Sequence, residues 1–331
     1  MPIILQLATV FVAAFSSTAI WLWLARQYSW LDHPNDRSSH SMPTPRGGGI
    51  GVAAGLLCFL WWDQTLLNEG GGWLPLVGGS LLLTGLADDL FTLPAWTRLV
   101  LQVAAVAAMW PFFSQLPVLQ VTNGVALSGT WLALVISFAF VAWINLYNFM
   151  DGIDALAASE TVFFCVGVFT VTALSGSVEP DFSALGLGVA ASGFLYFNLP
   201  RARIFMGDAG SYFIAFAMAV CGLLLVQRSG LNWWALLILP GTFVVDSSIT
   251  LLGRLLAGAV WYHPHKSHAY QLLAAKWSSH GLVVMCNAGI NLLWLLPMSL
   301  LVARRPHLGP LVLLIAWLPL IAVVVAVRRK N

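Results

Sequence analysis

Apolar segments of roughly 20 residues recur along almost the whole 331-residue chain, and no other feature constrains its fold so strongly. Hydrophobic residues make up 59% of the sequence and charged residues only 8%, whereas ordinary globular domains carry about 25% charged residues. Most of these segments are long enough to cross a lipid bilayer as a helix. The composition excludes a cytosolic enzyme, a secreted disulfide scaffold and a disordered binder. It predicts an all-α polytopic membrane protein.

The apolar segments define eleven candidate membrane spans. They are 3–25, 48–62, 73–87, 97–113, 130–147, 156–175, 182–198, 209–227, 232–252, 281–302 and 309–327. The second and third are short and rich in glycine, which suits tilted or tightly packed helices. Because the connections leave no room for a soluble domain, we expect residues 1–331 to form one transmembrane catalytic domain.

The basic residues predict the orientation of the chain. Twelve Lys and Arg residues fall on the side that follows the first span, and three fall on the other side. Since Lys and Arg accumulate in cytoplasmic loops, the N-terminus is predicted outside and the C-terminus in the cytoplasm. The net charge of +2 predicts no nucleic-acid partner. The main cytoplasmic loops are then 26–47, 88–97, 148–155, 199–208 and 253–280.

Most acidic residues lie on the same predicted cytoplasmic side. Acidic residues contribute little to membrane orientation, so topology does not explain this bias. We therefore predict a catalytic cytoplasmic face. The acids on this side are Asp32, Asp36, Asp88, Asp89, Asp151, Asp154 and Asp208.

Two of these acids, Asp88 and Asp89, are adjacent at the end of the third span. Neighbouring carboxylates repel each other unless a cation lies between them, and ionisable groups at a membrane boundary are functional candidates. The structural alternative is a solvated helix end, and the pair alone is a weak signal.

A second group of polar residues recurs at every third position from 145 to 154. Residues three apart lie on adjacent parts of a helix surface. Amide and carboxylate oxygens together suit a hard cation such as Mg²⁺, or nucleotide hydroxyls. A polar stripe that holds helices together is the alternative. The four residues are Asn145, Asn148, Asp151 and Asp154.

The segment between the seventh and eighth spans contains Asp208 and Ser211 directly before an apolar helix. A carboxylate at a helix N-terminus indicates either a helix cap or a metal ligand. Arg201 and Arg203 precede it and are candidate phosphate clamps or topology determinants.

Two loops add cationic groups to the same face. Residues 263–271 contain His263, His265, Lys266 and His268, which could bind zinc or pyrophosphate; we prefer phosphate because no cysteine is near. The first loop, 32–49, is rich in proline and glycine and lacks the Gly-Lys-Ser ending of a Walker loop. Its Arg37, His40 and Arg46 add capacity to bind anions.

Taken in order, these segments resemble the polyprenyl-phosphate N-acetylaminosugar-1-phosphate transferase family. The resemblance covers nearly the whole chain and rests on five motifs: 32–49, Asp88-Asp89, 148–154, 205–211 and the histidine loop. It implies transfer of a sugar 1-phosphate from a UDP-sugar to undecaprenyl phosphate, with release of UMP. It also implies Mg²⁺ at the cytoplasmic face of a bacterial inner membrane. Mn²⁺ accepts the same oxygen ligands and stays an open alternative.

The resemblance also implies roles for individual residues. Asp88 looks like the base that deprotonates the lipid phosphate, with Asp89 near the metal, and Asp208 looks like the main Mg²⁺ ligand. Asn148, Asp151 and Asp154 look like the nucleotide and metal shell, and His265 and His268 like contacts to the pyrophosphate or sugar. The implied catalytic residues are Asp88, Asp89, Asp151 and Asp208, and the implied metal ligands are Asp208, Asp89 and Asp151. The implied substrate-binding residues are Arg37, His40, Arg46, Asn145, Asn148, Asp154, Arg201, Arg203, Phe205, His265, Lys266 and His268.

Some positions depart from the family pattern. Thr92 stands where a third acid often follows the pair, Ala155 where glycine is common, and Ser38 where lysine often follows the arginine. The spacing of the histidine loop is closer to the branch that initiates O-antigen synthesis. N-acetylfucosamine, N-acetylquinovosamine and N-acetylglucosamine donors are all compatible with it. For Asp246, in the ninth span, we expect a structural role that orients the helix or a neighbouring loop.

Two rival functions are a secondary transporter, which broken helices and buried acids would suit, and a lipid-phosphate phosphatase. A transporter's acids should lie near the bilayer midplane, whereas these cluster at one face. Only the transferase requires a UDP-sugar. The sequence gives no indication of which helices hold the prenyl chain, of the number of catalytic steps, or of oligomeric state, and a homodimer is compatible with it.

Overall fold

The computed structural model describes residues 2–32, 42–64, 72–113, 116–122, 124–175, 182–259 and 265–329. Helices dominate this part of the chain. The longer ones are α1 (Ile3–Gln27), α2 (Gly49–Trp62), α3 (Leu74–Phe91), α4 (Ala95–Met109), α5 (Gly129–Phe149), α6 (Leu156–Ser175), α7 (Ser183–Asn198) and α8 (Gly207–Ser229). They are followed by α9 (Trp233–Ile238), α10 (Gly241–Leu256), α11 (Ala269–Trp277), α12 (His280–Ile290), α13 (Leu296–Arg304) and α14 (Gly309–Arg329).

The prediction of an all-α polytopic membrane protein is confirmed. Within the described residues, eight helices are long and apolar enough to cross a membrane. They are Ile3–Gln27, Leu74–Phe91, Ala95–Phe112, Gly129–Phe149, Leu156–Ser175, Gly207–Ser229, His280–Arg304 and Pro306–Arg329. The apolar helix α2 is shorter. The total of eleven spans and the sides of the two termini stay predictions.

The segment predicted as one span, 232–252, is instead two helices. The short helix α9 begins where Asn232 accepts hydrogen bonds from the backbone N–H groups of Trp234 and Ala235, and it ends at Ile238. Helix α10 begins at Gly241, directly after Pro240. Proline has no backbone N–H and its ring obstructs the preceding helical turn, which explains the break at this point.

The described residues also contain 3-10 helices at Trp110–Phe112 and Pro306–Leu308, a π-helix at Asn291–Leu295 and two short antiparallel strand pairs. Strands β1 (Leu31–Asp32) and β2 (Thr44–Pro45) pair at the end of α1, and β3 (Leu119–Thr122) pairs with β4 (Val125–Leu127) between α4 and α5. Neither strand pair was predicted. The backbone of the second pair accepts a hydrogen bond from the indole of Trp234 at Gln120 O, which ties it to α9.

Helix α8 lies at the centre of the molecule, and nearly all of its residues are buried. Glycines let its first turn approach two neighbours closely. A Cβ on Gly49 of α2 would lie 2.0 Å from Gly210 Cα, and a Cβ on Gly85 of α3 would lie 2.2 Å from the Asp208 carbonyl oxygen. The ends of α2 and α3 therefore meet at the residue predicted as the main metal ligand.

Candidate active site

The structure brings together residues from α3, α5 and α8 at one end of the helix bundle. Asn148, in the last turn of α5, donates a hydrogen bond of 2.7 Å from Nδ2 to Asp208 Oδ1. The same amide nitrogen lies 2.8 Å from Ser211 Oγ. Asp208 is in the first turn of α8, so this amide joins two motifs that are 60 residues apart.

Asp88 is buried and already has three hydrogen-bond donors. Its Oδ2 accepts from Arg98 Nη1 at 2.8 Å and from the Tyr212 hydroxyl at 3.3 Å, and its Oδ1 accepts from Leu93 N at 2.7 Å. These side-chain and backbone donors fix the position of the Asp88 carboxylate. These contacts favour a role in holding Arg98, while the role as a base stays a prediction.

Asp89 acts as a helix cap in this structure. Its two carboxylate oxygens accept hydrogen bonds of 3.1 Å from the backbone N–H groups of Asp208 and Ala209. A negative charge at a helix N-terminus satisfies unpaired N–H groups and interacts favourably with the helix dipole. Arg46 Nη1 lies 4.0 Å from Asp89 Oδ1. Asp89 therefore positions Asp208, and its place beside a metal stays a prediction.

Arg98 is one of the residues at this site that the sequence analysis missed. It counted there only as a topology determinant, yet its Nη1 lies 2.8 Å from Asp88 Oδ2 and 4.0 Å from Asp208 Oδ2. The short turn between α3 and α4 folds Arg98 back onto the acid pair. The available signal was a cation ten residues after Asp88 and four residues after Pro94.

Asp151 lies in the turn between α5 and α6 and is half-buried. Within the described residues, its carboxylate makes no hydrogen bond or ion pair. Loss of surrounding water raises the pKa of Asp151 well above its usual value; the nearby Asp89 carboxylate also raises it, and Arg46 opposes this. Among the predicted acids in the described residues, Asp151 is the one whose carboxylate makes no hydrogen bond or ion pair there.

Asp154 and Asn145 are held by other parts of the protein. Asp154 Oδ2 accepts a hydrogen bond from Ala202 N at 3.1 Å and lies 3.3 Å from His280 Nδ1. Asn145 Nδ2 donates to Gln102 Oε1 at 2.7 Å, one helical turn below Asn148. These contacts connect helices, and direct contact of either residue with substrate stays a prediction.

The arginine segment before α8 lies at the edge of the site. The guanidinium of Arg203 lies over the ring of Tyr196, 4.6 Å from its centroid, and Arg201 is exposed. The backbone of Phe205 pairs with the first loop, donating to Pro45 O and accepting from Gly48 N. Arg46 binds Asp32 with an Nη2–Oδ1 distance of 2.7 Å. The predicted Arg37 and His40 lie outside the described residues, as does His263.

The histidine segment packs on the α5–α6 turn. The rings of His265 and His268 stack with their centroids 4.9 Å apart, and the Tyr270 hydroxyl donates to Phe149 O at 2.9 Å. His268 is buried, whereas Lys266 is exposed. The structure thus brings this segment next to the residues 149–152 that flank Asp151.

Asp246 holds the start of the helix that follows these histidines. Its two carboxylate oxygens accept hydrogen bonds of 2.9 Å from Ala269 N and Tyr270 N, the first residues of α11. The expected structural role of Asp246 is confirmed. The arrangement repeats that of Asp89 at α8.

The donor set fits a metal that is completed by substrate. Among the described residues, no three His, Cys, Asp or Glu side chains form a ready-made metal cluster. Mg²⁺ is commonly bound by one or two carboxylates together with substrate phosphates and water. Asp208, whose side chain is 30% exposed, and the unoccupied carboxylate of Asp151 fit this pattern better than Asp89.

The fold and site together define an integral membrane protein with an acid- and arginine-lined site at the ends of its helices. Residues 73–226 match glycosyl transferase family 4. A probable undecaprenyl-phosphate N-acetylglucosaminyl 1-phosphate transferase of Bacillus subtilis is 30% identical over 299 residues, covering 85% of this chain and 79% of the relative. The chain belongs to this family of polyprenyl-phosphate aminosugar-1-phosphate transferases.

Two further relatives show how the similarity is distributed. An undecaprenyl-phosphate alpha-N-acetylglucosaminyl 1-phosphate transferase of Thermotoga maritima is 27% identical over 288 residues, which cover 86% of this chain and 87% of the relative. A phospho-N-acetylmuramoyl-pentapeptide-transferase of Chlamydia muridarum is 37% identical over 136 residues, but these cover only 39% of each chain. The similarity to the N-acetylglucosaminyl 1-phosphate transferases therefore extends over much more of the chain.

Proposed function

We propose that the protein transfers an N-acetylaminosugar 1-phosphate from a UDP-sugar to undecaprenyl phosphate and releases UMP. Relatives named as transferases of N-acetylglucosaminyl 1-phosphate to undecaprenyl phosphate support this reaction class. The observation that carries the proposal is the meeting of Asp208, Asn148 and Arg98 at the ends of membrane helices. The distribution of Lys and Arg supports placing this end in the cytoplasm, and the family supports a bacterial inner membrane.

The proposed substrates are both anionic, so the site must neutralise charge as they meet. Mg²⁺ held by Asp208 and Asp151 would neutralise part of the charge on the donor's phosphates. Arg98 supplies a fixed positive charge beside Asp208, and its planar guanidinium suits phosphate oxygens. Asp88 holds that guanidinium in place through its 2.8 Å contact.

The transfer exchanges one phosphorus–oxygen bond for another. A phosphate oxygen of undecaprenyl phosphate forms a bond to the β-phosphorus of the UDP-sugar. The bond from this phosphorus to the bridging oxygen breaks, and UMP leaves with that oxygen and its electron pair. Because catalysis of phosphoryl transfer is mainly positioning and charge stabilisation, the ordered contacts around Asp208 suit it. His265, Lys266 and His268 are the proposed contacts to the pyrophosphate or sugar.

An apolar groove offers a place for the prenyl chain of the acceptor. A cavity of about 320 Å³ lies between α5, α8, α9 and α10, and its lining is almost wholly apolar. Its lining on α5 runs from Leu132 to Leu146, which is two residues before Asn148. A prenyl chain in this groove would have its phosphate end near Asp88, Asp89 and Asp208, which form the acid cluster.

The proposal extends to the glycan that the product initiates and to the sugar that is transferred. The spacing of His265 and His268 supports the branch that initiates O-antigen or a related cell-envelope glycan. N-acetylglucosamine is the sugar in the names of the two longest-matching relatives described above. N-acetylfucosamine and N-acetylquinovosamine remain candidates.

The proposal is tested by UMP release from a panel of UDP-N-acetyl sugars with purified protein, undecaprenyl phosphate and Mg²⁺. We expect release with one sugar or a few, no release without the lipid phosphate, and loss on adding EDTA. Asp208→Asn and Asp151→Asn should abolish release. Asp63→Asn, at the opposite end of α2, is the matched control and should behave as wild type.

Failure of every donor with folded protein would contradict the proposal. A transporter would instead bind or move a sugar without needing undecaprenyl phosphate. Phosphate release from the lipid alone would indicate the phosphatase.

A further inference from the structure

Two arginines lie at the ends of the packed helices α10 and α14, outside the acid cluster. Arg254 lies in the last turn of α10, and Arg328 lies in the last turn of α14. Arg328 reaches across to α10, where its Nη1 donates a hydrogen bond of 3.0 Å to Ile249 O. The position next to Arg254 is Gly253, at which a Cβ would lie only 2.5 Å from Arg328 Nη1. Glycine therefore makes room for the Arg328 guanidinium against the last turn of α10, one residue before Arg254.

His265 lies near both arginines. Burial is the main cause that lowers the pKa of His265 to about 4, and the charges of His268, Arg254 and Arg328 contribute to the same shift. The histidine is therefore neutral at pH 7 and adds no charge of its own. Asp246 lies two helical turns away on α10, and both of its oxygens already accept backbone hydrogen bonds.

Apolar side chains lie on the same two helices, next to the arginines. Leu252, Leu255 and Leu256 of α10 are exposed, the last of them by 80%, and so is Val323 of α14. In a membrane such side chains contact acyl chains, while the arginines at the helix ends lie at the depth of the headgroups. Basic pockets between membrane helices bind anionic lipid headgroups in this way.

We propose that Arg254 and Arg328 form a binding site for the phosphate of an anionic phospholipid in the leaflet on the side of the acid cluster. The lipid's chains then lie along the exposed leucines of α10. The bound headgroup is adjacent to the histidine segment. The site is separate from the proposed transfer reaction and does not depend on it.

Topology alone would also place arginines at these helix ends. Membrane topology requires only the positive charge. It does not require the hydrogen bond from Arg328 to α10 or the space that Gly253 leaves for Arg328. A topology determinant would show no preference for one lipid headgroup over another, and a lipid site would.

The test is native mass spectrometry of purified protein exposed to phosphatidylglycerol or to phosphatidylcholine with the same chains. We expect the wild type to retain phosphatidylglycerol and not phosphatidylcholine. The variant Arg254→Gln/Arg328→Gln should lose about tenfold in retention, because hydrogen bonds to charged groups contribute at this level. Arg304→Gln/Arg305→Gln removes the same charge at the end of α13 and should retain the lipid as wild type does.

Competition separates the possible sources of phosphate. Displacement of phosphatidylglycerol by an equal concentration of inorganic phosphate, or one-for-one by undecaprenyl phosphate, would overturn the proposal, as would equal retention in both double variants. Where the double variant does not fold, Arg328→Lys and Arg328→Gln give the same comparison. Lysine keeps the charge and should retain more lipid than glutamine, and equal retention by the two would count against the site.

Discussion

The adjacent acids Asp88 and Asp89 are the same residue type but have different roles, because their carboxylates bind different groups. Asp88 binds the side chains of Arg98 and Tyr212. Within the described residues, Asp89 instead binds the backbone at the start of α8 and lies 4.0 Å from Arg46. Both are carboxylates at one helix end. Asp88 holds the Arg98 guanidinium at the site, and Asp89 holds the N-terminus of α8.

Arg98 gives the first prediction at the residue scale. Arg98→Lys should lower kcat for transfer by about 10²-fold, because lysine keeps the charge but loses the planar fork that bridges Asp88 and the phosphate. The kinetics of UMP release check this, with Arg26→Lys at the exposed end of α1 as the control. Wild-type kinetics in Arg98→Lys would remove Arg98 from the site.

Ala155 gives a stability prediction. Its φ is +66°, a left-handed conformation that costs a residue with a Cβ about 1–2 kcal/mol. Ala155→Gly should raise stability by about 0.5–1 kcal/mol, since glycine's greater flexibility in the unfolded chain offsets part of the gain. Thermal unfolding in detergent measures this. The control Ala157→Gly, inside α6, should lower the midpoint instead.

His265 gives a prediction of pH dependence. Its pKa falls from 6.5 to about 4 on folding, so the folded state favours the neutral ring. Its contribution to stability is present above pH 6.5 and is lost as the pH falls from 6.5 toward 4, because only the unfolded chain takes up the proton there. His265→Gln should therefore lose less stability than wild type between pH 7 and pH 5. Parallel unfolding curves for both proteins across this range would contradict the assignment.

At the scale of elements, the same device appears twice. Asp89 of α3 caps α8, and Asp246 of α10 caps α11, each with both carboxylate oxygens. Each capped helix begins with residues of the proposed site. Membrane helices thus position the site through carboxylates aimed at the N-termini of their neighbours.

Asp246→Ala should expose the start of α11. The loss of two hydrogen bonds to a charged group should cost about 2 kcal/mol or more, and the amides of Ala269 and Tyr270 should lose protection in hydrogen exchange. Ser279→Ala removes an ordinary cap at α12, where Ser279 Oγ accepts from Leu282 N, and should cost about 1 kcal/mol without changing those amides. Unchanged protection at Ala269 in Asp246→Ala would contradict the capping role.

Helix positions could be predicted from the sequence better than helix partners. The apolar segments located all of the long helices, because a helix that crosses a bilayer needs about 20 apolar residues. The break before Gly241 and the β3–β4 hairpin were missed, since Pro240 is tolerated in many spans and a hairpin of three residue pairs has a weak pattern. The capping by Asp89 joins positions 119 residues apart, and no local rule relates them.

At the scale of the whole molecule, the proposed orientation makes a prediction of its own. In a background without the four native cysteines, Arg305→Cys should react with an impermeable maleimide on intact cells, because the arginine is exposed on the predicted outer side. Arg201→Cys, exposed beside the acid cluster, should react only after permeabilisation. The reverse pattern would place the site outside the cytoplasm.

Part of the candidate site could also be predicted from the sequence. Asp208, Asn148 and Asp151 could be grouped because their motifs match a family. The structure joins Asn148 to Asp208 by a hydrogen bond and places Asp151 close enough to Asp89 to be affected by its charge. Arg98, Tyr212 and Gly85 could not be added, since their importance comes from the packing of α3 against α8. Residues 33–41, which include the predicted Arg37 and His40, lie outside the described residues.

The most direct test of the central claim follows a radioactive β-phosphate from the UDP-sugar during reaction with undecaprenyl phosphate. Sugar 1-phosphate transfer predicts that the label enters the lipid extract and that unlabelled UMP is released in equal amount. Asp208→Asn should stop both. Label that stays in the water phase as UDP would mean that the sugar alone is transferred, and it would contradict the account.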